Sequence, residues 1–266
     1  MKKLTKQIFT GVILASMLLM SGCGAKETTD QLKIGIKSDV PGFGFFNPET
    51  KQYEGFEIDI AYEIAAKKYN CSIEEAKERD LIAFQAVTAK TRGPLLNNGE
   101  LDMVIATFTI TDERKESYNF SEPYFTDSVR ILVKKDNGIA TLSDLDQKSI
   151  GIAQSSTTRD MINAFIAENN LSTVPEYLEF GSYPEIKAAL DSNRIQAFSV
   201  DGSILAGYND DTTILLEERF APQDYGIATA KSNEATELDT IINEVIAELK
   251  SSGKLDEILT ANGIEQ

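Results

Sequence analysis

Hydrophobic and polar positions follow a strand-then-helix order that runs once through the first half of the chain and starts again in the second. Leu32–Ile36 is a short apolar run that reads as a core strand. Gly55 opens a helix to about Tyr69, with Ile60, Ala61, Ile64 and Ala65 on one face. Leu81–Val87 is a second strand, and Pro94 starts a short helix that Gly99 ends. Met103–Phe108 is a third strand, while Pro41–Tyr53 is a turn-rich connection. Ser128–Val133 looks like a crossover into a second lobe. There the order restarts with a strand at Ser149–Ala153 and a helix carrying Met161, Ile162, Phe165 and Ile166 on one face. A strand at Val174–Phe180, a helix at Pro184–Asn193 and a strand at Ile195–Val200 follow, then a strand at Tyr225–Thr229. The Glu234–Lys250 helix has the cleanest period, with Leu238, Ile241, Ile242, Val245, Ile246 and Leu249 aligned.

Candidate chemistry gathers where these strands end. Open α/β sheets bind ligands beyond the carboxyl ends of their strands. Lys37 follows the first strand and Arg92 the second, each either a ligand contact or a solvated loop cation. In Met103–Phe108 and the residues after it, Thr107 and Thr109 sit two apart and so share one face of an extended strand. Thr111 then caps a helix whose first turn holds Asp112 and Glu113, and Arg114 follows. Two hydroxyls and a guanidinium delivered to one spot make an anion clamp; the alternative is a capped turn with a solvated Arg. Ser156 and Thr157 stand at a helix start, where free backbone N–H groups suit an anion or need only ordinary capping. Asp201 closes the Ile195–Val200 strand and either binds a cation or caps the next helix. Tyr183 precedes Pro184 and either reaches the same region or is half-buried in a loop.

Composition narrows the function. The 266 residues carry a formal net charge of −16 and no histidine. The acidity argues against nucleic acid as a partner. The missing histidine removes His-based triads and His metal ligands, and we expect neither metal nor cofactor. Two cysteines make no disulfide framework, and Cys71 reads as a small buried apolar residue. Residues 1–22 have the form of a signal peptide: Lys2, Lys3 and Lys6, then an apolar stretch Ile8–Met20 too short to span a bilayer. Met20-Ser21-Gly22-Cys23 resembles a bacterial lipobox, with Met20 in place of the commoner Leu. Either Cys23 is lipidated and residues 23–31 form a tether, or the protein is simply secreted.

The segments YEGFEIDIAYEIA, LLNNGELDMVIATFTITDERKESYNFSEPYF, IGIAQSSTT and IQAFSVDGSILAGY resemble the solute-binding proteins of polar amino-acid ABC importers. KSDVPGFGFFNPET, VTAKTRGPLL and FGSYPEIKAALDSNR resemble the aspartate/glutamate-binding branch of that family. The resemblance implies a two-lobe, type II periplasmic-binding-protein-like α/β fold with a hinge of two crossing segments. It places lobe one at 32–125 with 222–266 and lobe two at 126–221. It implies Arg114 on the ligand's α-carboxylate with Thr109, Ser156 and Thr157, and Asp201 on the α-ammonium with Thr107 in support. Lys37 and Arg92 would meet a side-chain carboxylate, with Tyr183 closing the pocket. Relatives that bind basic amino acids carry an acid where Lys37 stands and an aromatic platform near Ala89, and this chain has neither. Counting Arg114, Arg92 and Lys37 against Asp201 alone leaves a positive excess, which favours aspartate or glutamate over glutamine. The expected protein is an extracytoplasmic, lipid-anchored monomer that hands its ligand to a membrane permease and ATPase. The competing readings are a glutamine receptor, a dehydratase-like enzyme on the same fold, and an adhesin or sensor.

The anchor is tested by Cys23→Ala, which should move the protein from the membrane fraction into the medium or wall fraction. Unchanged membrane retention excludes the lipobox reading.

Overall fold

The structure is a computed structural model that describes residues 31–264. The expected leader, Cys23 and the tether up to Asp30 lie outside the described residues.

The chain begins with β1 (Leu32–Ile36), then a small antiparallel sheet of β2 (Asp39–Val40), β3 (Gly44–Asn47) and β4 (Gln52–Glu54). That sheet occupies the stretch expected to be only turns. Next come α1 (Phe56–Tyr69), α2 (Ile73–Glu78), β5 (Ile82–Ala86), α3 (Arg92–Asn97), β6 (Met103–Ile105), α4 (Asp112–Ser117) and β7 (Tyr118–Phe120). The second half holds β8 (Phe125–Lys134), β9 (Ser149–Ala153), α5 (Thr158–Glu168), β10 (Glu176–Phe180), α6 (Tyr183–Asp191), β11 (Ala197–Asp201), α7 (Gly202–Ala206) and β12 (Thr213–Leu215). The chain ends with β13 (Phe220–Tyr225), β14 (Ala228–Ala230), α8 (Glu237–Ser252) and α9 (Lys254–Ala261).

Two larger sheets organise the molecule. The first has the order β5-β1-β6-β14-β7 and the second β10-β9-β11-β8-β12, with β13 also on β8. In both, three parallel strands run in the order second, first, third, so the chain reverses direction across the sheet beside its first strand. That reversal opens a crevice at the carboxyl ends of the strands. The chain passes from the first sheet to the second between residues 120 and 125, and returns between 225 and 228. The two passages are not loose loops. β8 and β13 pair antiparallel, with Phe125 opposite Tyr225 and Asp127 opposite Gln223.

The helices follow from local sequence. Ile60, Ala61, Ile64 and Ala65 are buried as the period requires, and Asn70 ends α1 in the left-handed conformation. Thr236 caps α8 in a reciprocal box with Asp239, and Gly253 ends it. Thr111 caps α4 by accepting from the Arg114 N–H at 3.1 Å.

Two expected strands are cut short. The strand from Met103 stops at Ile105, because Thr107 adopts a φ of 47°. A left-handed residue ends the two-residue alternation, so Thr107 and Thr109 do not share one face of an extended strand. Tyr225–Thr229 is divided between β13 and β14, the point where the chain changes sheets.

Gly55 fixes how α1 enters the core. Its φ is 128°, and a Cβ there would lie 2.2 Å from the Phe43 carbonyl oxygen. Gly55→Ala should therefore lower the unfolding free energy by more than ~1 kcal/mol, read from urea denaturation. A change within error would show that the β3–α1 junction yields freely.

Candidate ligand-binding site

Most of the sequence-selected residues sit just past a strand of one of the parallel cores, and two lie in the helices that follow. Lys37 follows β1, Thr107 follows β6, Ser156 and Thr157 follow β9, Tyr183 follows β10, and Asp201 ends β11. Arg92 opens α3 after β5, and Arg114 lies in α4. Lys37, Arg92, Thr107, Thr109, Tyr183 and Asp201 are all buried, and Arg114, Ser156 and Thr157 are half-buried.

The centre of the site is a turn held from both sides. Arg92, 3% exposed, donates from Nη1 to the carbonyl oxygens of Ala106 at 2.6 Å and Thr107 at 3.0 Å. The Thr107 N–H donates to Glu57 Oε1 at 2.6 Å, and the Tyr124 hydroxyl donates to the same oxygen. A β-branched residue at positive φ is strained, and such strain persists only where its surroundings over-determine it. Here three polar contacts do so. Phe108 then places its ring under both guanidinium groups, 4.0 Å from Arg92 and 4.9 Å from Arg114.

The two halves touch across the site. Arg114 donates to the Thr109 carbonyl at 2.8 Å and to the Ser155 carbonyl of the other half at 3.2 Å. Lys37 Nζ lies 4.4 Å from the centre of the Tyr183 ring and 3.0 Å from Asp39 Oδ1. The Tyr208 hydroxyl donates to the Asp39 carbonyl. Thr157 donates to Gln223 Oε1 at 2.7 Å, which fastens α5 to the crossing strand β13. Asp201 does not cap α7 with its side chain; its carboxylate accepts from the Tyr225 hydroxyl at 2.6 Å.

Electrostatics mark where charge is wanted. Burial, and then the nearby Arg92 charge, lower Arg114 from the usual guanidinium range to about 9. Burial, and then the neighbouring Asp127, raise Asp201 to about 7. An anion on Arg114 and a cation on Asp201 would relieve both at once, and an α-amino acid carries that pair. Buried polar atoms without a hydrogen-bond partner include Arg92 Nε, Glu57 Oε2 and Ser156 Oγ. Such atoms are rare in folded proteins, and their concentration here is the mark of a site that accepts a polar guest.

Sequence reading missed two acids. Glu57 was given no role, yet it is 0% exposed. Asp39 was given no role either, yet it is the ion-pair partner of Lys37. They correct the charge count. Lys37, Arg92 and Arg114 face Asp39, Glu57 and Asp201, with Asp127 next to Asp201, and the positive excess disappears. Burial pushes Glu57 up, while its two donors and Arg92 favour its ionised form. The nearest sequence signal was position: Glu57 precedes the apolar stripe of α1 by three residues, where a side chain turns inward.

Residues 32–262 match the family described as bacterial extracellular solute-binding proteins, family 3. The chain belongs to that family. It is 33% identical to the ABC transporter glutamine-binding protein GlnH of Bacillus subtilis (strain 168), over 95% of this chain and 96% of that protein. It is 38% identical to a glutamine-binding protein of Geobacillus stearothermophilus, over 76% of this chain and 73% of that one. The glutamate-binding protein GluB of Corynebacterium efficiens is more distant, at 27% identity over 97% of this chain and 92% of that protein. An ancestral arginine-binding protein, solved with arginine and with glutamine, shares the fold at TM-scores of 0.73 and 0.72. Those comparisons show 30% and 32% identity, covering 87% and 86% of this chain and 97% and 95% of the other. The fold is thus the two-lobe, type II α/β architecture expected from the sequence, and the protein is an amino-acid-binding component of an ABC transporter.

Removing the Glu57 carboxylate tests the central turn. Glu57→Ala strips the Thr107 N–H and Tyr124 O–H of their acceptor and removes one of the acids that favour the Arg92 charge. With two buried donors orphaned, the unfolding free energy of the ligand-free protein should fall by ~2–6 kcal/mol. A loss under about 1 kcal/mol would show that the turn holds without it.

Proposed function

We propose that this protein captures glutamine and delivers it to the permease and ATPase of its importer. The observation that carries the choice is that buried Glu57 and the ion-paired Asp39 join Asp201 in offsetting Lys37, Arg92 and Arg114. A balanced cleft favours a ligand without net charge, since an extra buried charge has no partner left. In this reading Arg114 grips the α-carboxylate, with Thr109, Ser156 and Thr157 around it, and Asp201 takes the α-ammonium beside Thr107. The far end of the ligand lies among Lys37, Arg92 and Tyr183. A side-chain amide brings one acceptor and two donors. The buried Arg92 Nε donor and the Glu57 Oε2 acceptor, both without protein partners, are of the matching kinds. The similarity to two glutamine-binding proteins supports the same choice.

The halves at 32–125 with 222–266 and at 126–221 would close on the ligand by bending at β8 and β13. Cys23 would hold the protein, as a monomer, at the outer face of the membrane. This is a receptor, and no reaction step is assigned to it.

Aspartate or glutamate is the second reading, favoured by the three cations and by the glutamate-binding relative. A second ligand carboxylate beside Glu57 would need a proton to restore neutrality. Acidic binding would therefore come with proton uptake.

Calorimetry of the ligand-stripped protein against glutamine, asparagine, glutamate and aspartate separates the readings. Glutamine should bind at least ~30-fold tighter than glutamate, since an unpaired buried charge costs ~2–5 kcal/mol. Glu57→Gln should shift that ratio toward glutamate, and Arg114→Ala should abolish binding of all four. Tighter glutamate binding, with an observed enthalpy that varies with buffer ionisation enthalpy, would replace glutamine with the acidic ligand.

A further inference from the structure

Asp201 is tied to the crossing strands through one hydroxyl. Tyr225 is the last residue of β13 and is 0% exposed. Its backbone is stitched to the site turn of the first half: it pairs with Thr109, and its carbonyl accepts from the Tyr124 N–H at 2.9 Å. The flanking Asp224 carbonyl accepts from Ile110 N, and Gly226 N donates to the Phe108 carbonyl. The ring is fixed between Phe43, Phe125 and Tyr124, at centroid distances of 6.1, 5.7 and 6.2 Å. Its side chain alone reaches into the other half. The hydroxyl lies 2.6 Å from Asp201 Oδ2 and 3.4 Å from Asp127 Oδ2. Asp127 lies on β8 and accepts from Ser128 N at 2.7 Å, from Ser203 N at 2.9 Å and from the Ser203 hydroxyl.

We propose that Tyr225 is a positioning residue for ligand capture, its hydroxyl shared between Asp201 and the crossing-strand Asp127 so that the ammonium site answers to the hinge. This rests on the reading of Asp201 as the ammonium contact. A phenol has one proton to give. Given to Asp201, it fixes and stabilises the carboxylate that the ligand's ammonium needs. When Asp201 takes a proton from solvent, its O–H donates to the phenol oxygen and the phenol proton turns to Asp127. Asp201 is then useless as a counter-ion, and the bond between the crossing strands tightens. Asp127 promotes this protonation through like charge, raising Asp201, while Tyr225, Arg92 and Arg114 lower it; Tyr183 faces it from α6. Capture should therefore weaken as pH falls through about 7.

The two partners have opposite signs, which a merely structural role would not produce. Tyr225→Phe removes the donor and should move the Asp201 midpoint up by about one pH unit; Asp127→Asn removes the like charge and should move it down. Carbon-detected NMR of the Asp201 carboxyl in the ligand-free protein reads these midpoints, with Asp201→Asn identifying the signal and circular dichroism verifying the fold. The glutamine Kd of Tyr225→Phe should rise several-fold at pH 6.5 and rejoin the wild type to within about twofold at pH 8.5. Equal midpoints in the wild type and both variants would overturn the proposal. Midpoints that move as stated beside a Kd that ignores pH would instead overturn the ammonium role of Asp201, leaving the shared hydroxyl intact.

Discussion

A guanidinium buried between two sheets is the constraint that the rest of this site obeys. Arg92 has to be hydrogen-bonded and compensated, because a buried unpaired cation costs several kcal/mol. Two backbone carbonyls, Ala106 and Thr107, supply the hydrogen bonds. Turning both toward one guanidinium brings Thr107 into the left-handed region and ends β6. The Thr107 N–H, turned away from any ladder, needs an acceptor, and Glu57 supplies it from the first turn of α1. Glu57 and Asp201 also bring negative charge that favours the ionised Arg92, so the acceptor of the turn serves charge as well. The residues after this turn are thereby aimed: Phe108 under both guanidiniums, Thr109 and Arg114 toward the other half.

The fold explains why two halves are needed. Each parallel core presents one crevice at its strand ends, and each crevice carries half of the polar groups. The first brings the cations Lys37, Arg92 and Arg114; the second brings Asp201, Tyr183 and the start of α5. Contacts such as Arg114 to Ser155 and Tyr208 to Asp39 hold the halves together around the shared interior. The paired β8 and β13 give the halves a common edge, and Tyr225 joins that edge to the site. In the proposed reading, the ammonium contact and the relation of the halves are linked by a short chain of contacts rather than by distance.

Much of this was legible in the sequence. Leu32–Ile36 and Ser149–Ala153 form where the apolar runs place them, since short buried strands are continuous apolar stretches. The placement of candidate residues at strand ends followed from topology alone. What escaped was information that periodicity does not carry. Nothing in a threonine between apolar residues announces a φ of 47°, so an extended strand was the natural reading of 103–108. Glu57 and Asp39 resembled the many acids of this acidic chain, and only packing separates a buried counter-ion from a solvated one. That omission mattered most, because it left the cations looking uncompensated and pointed the ligand choice toward acids. The role of the Tyr225 hydroxyl escaped too, for it meets Asp201 from 24 residues away along the chain, a contact no local pattern carries.

The central claim is that a charge-balanced cleft selects a zwitterion with an uncharged side chain. The most direct measurement is the identity of the small molecule that travels with the natively purified protein. Gentle purification, acid release and mass spectrometry should return glutamine at near-stoichiometric amounts. Recovery of glutamate, aspartate or arginine in its place would contradict the account.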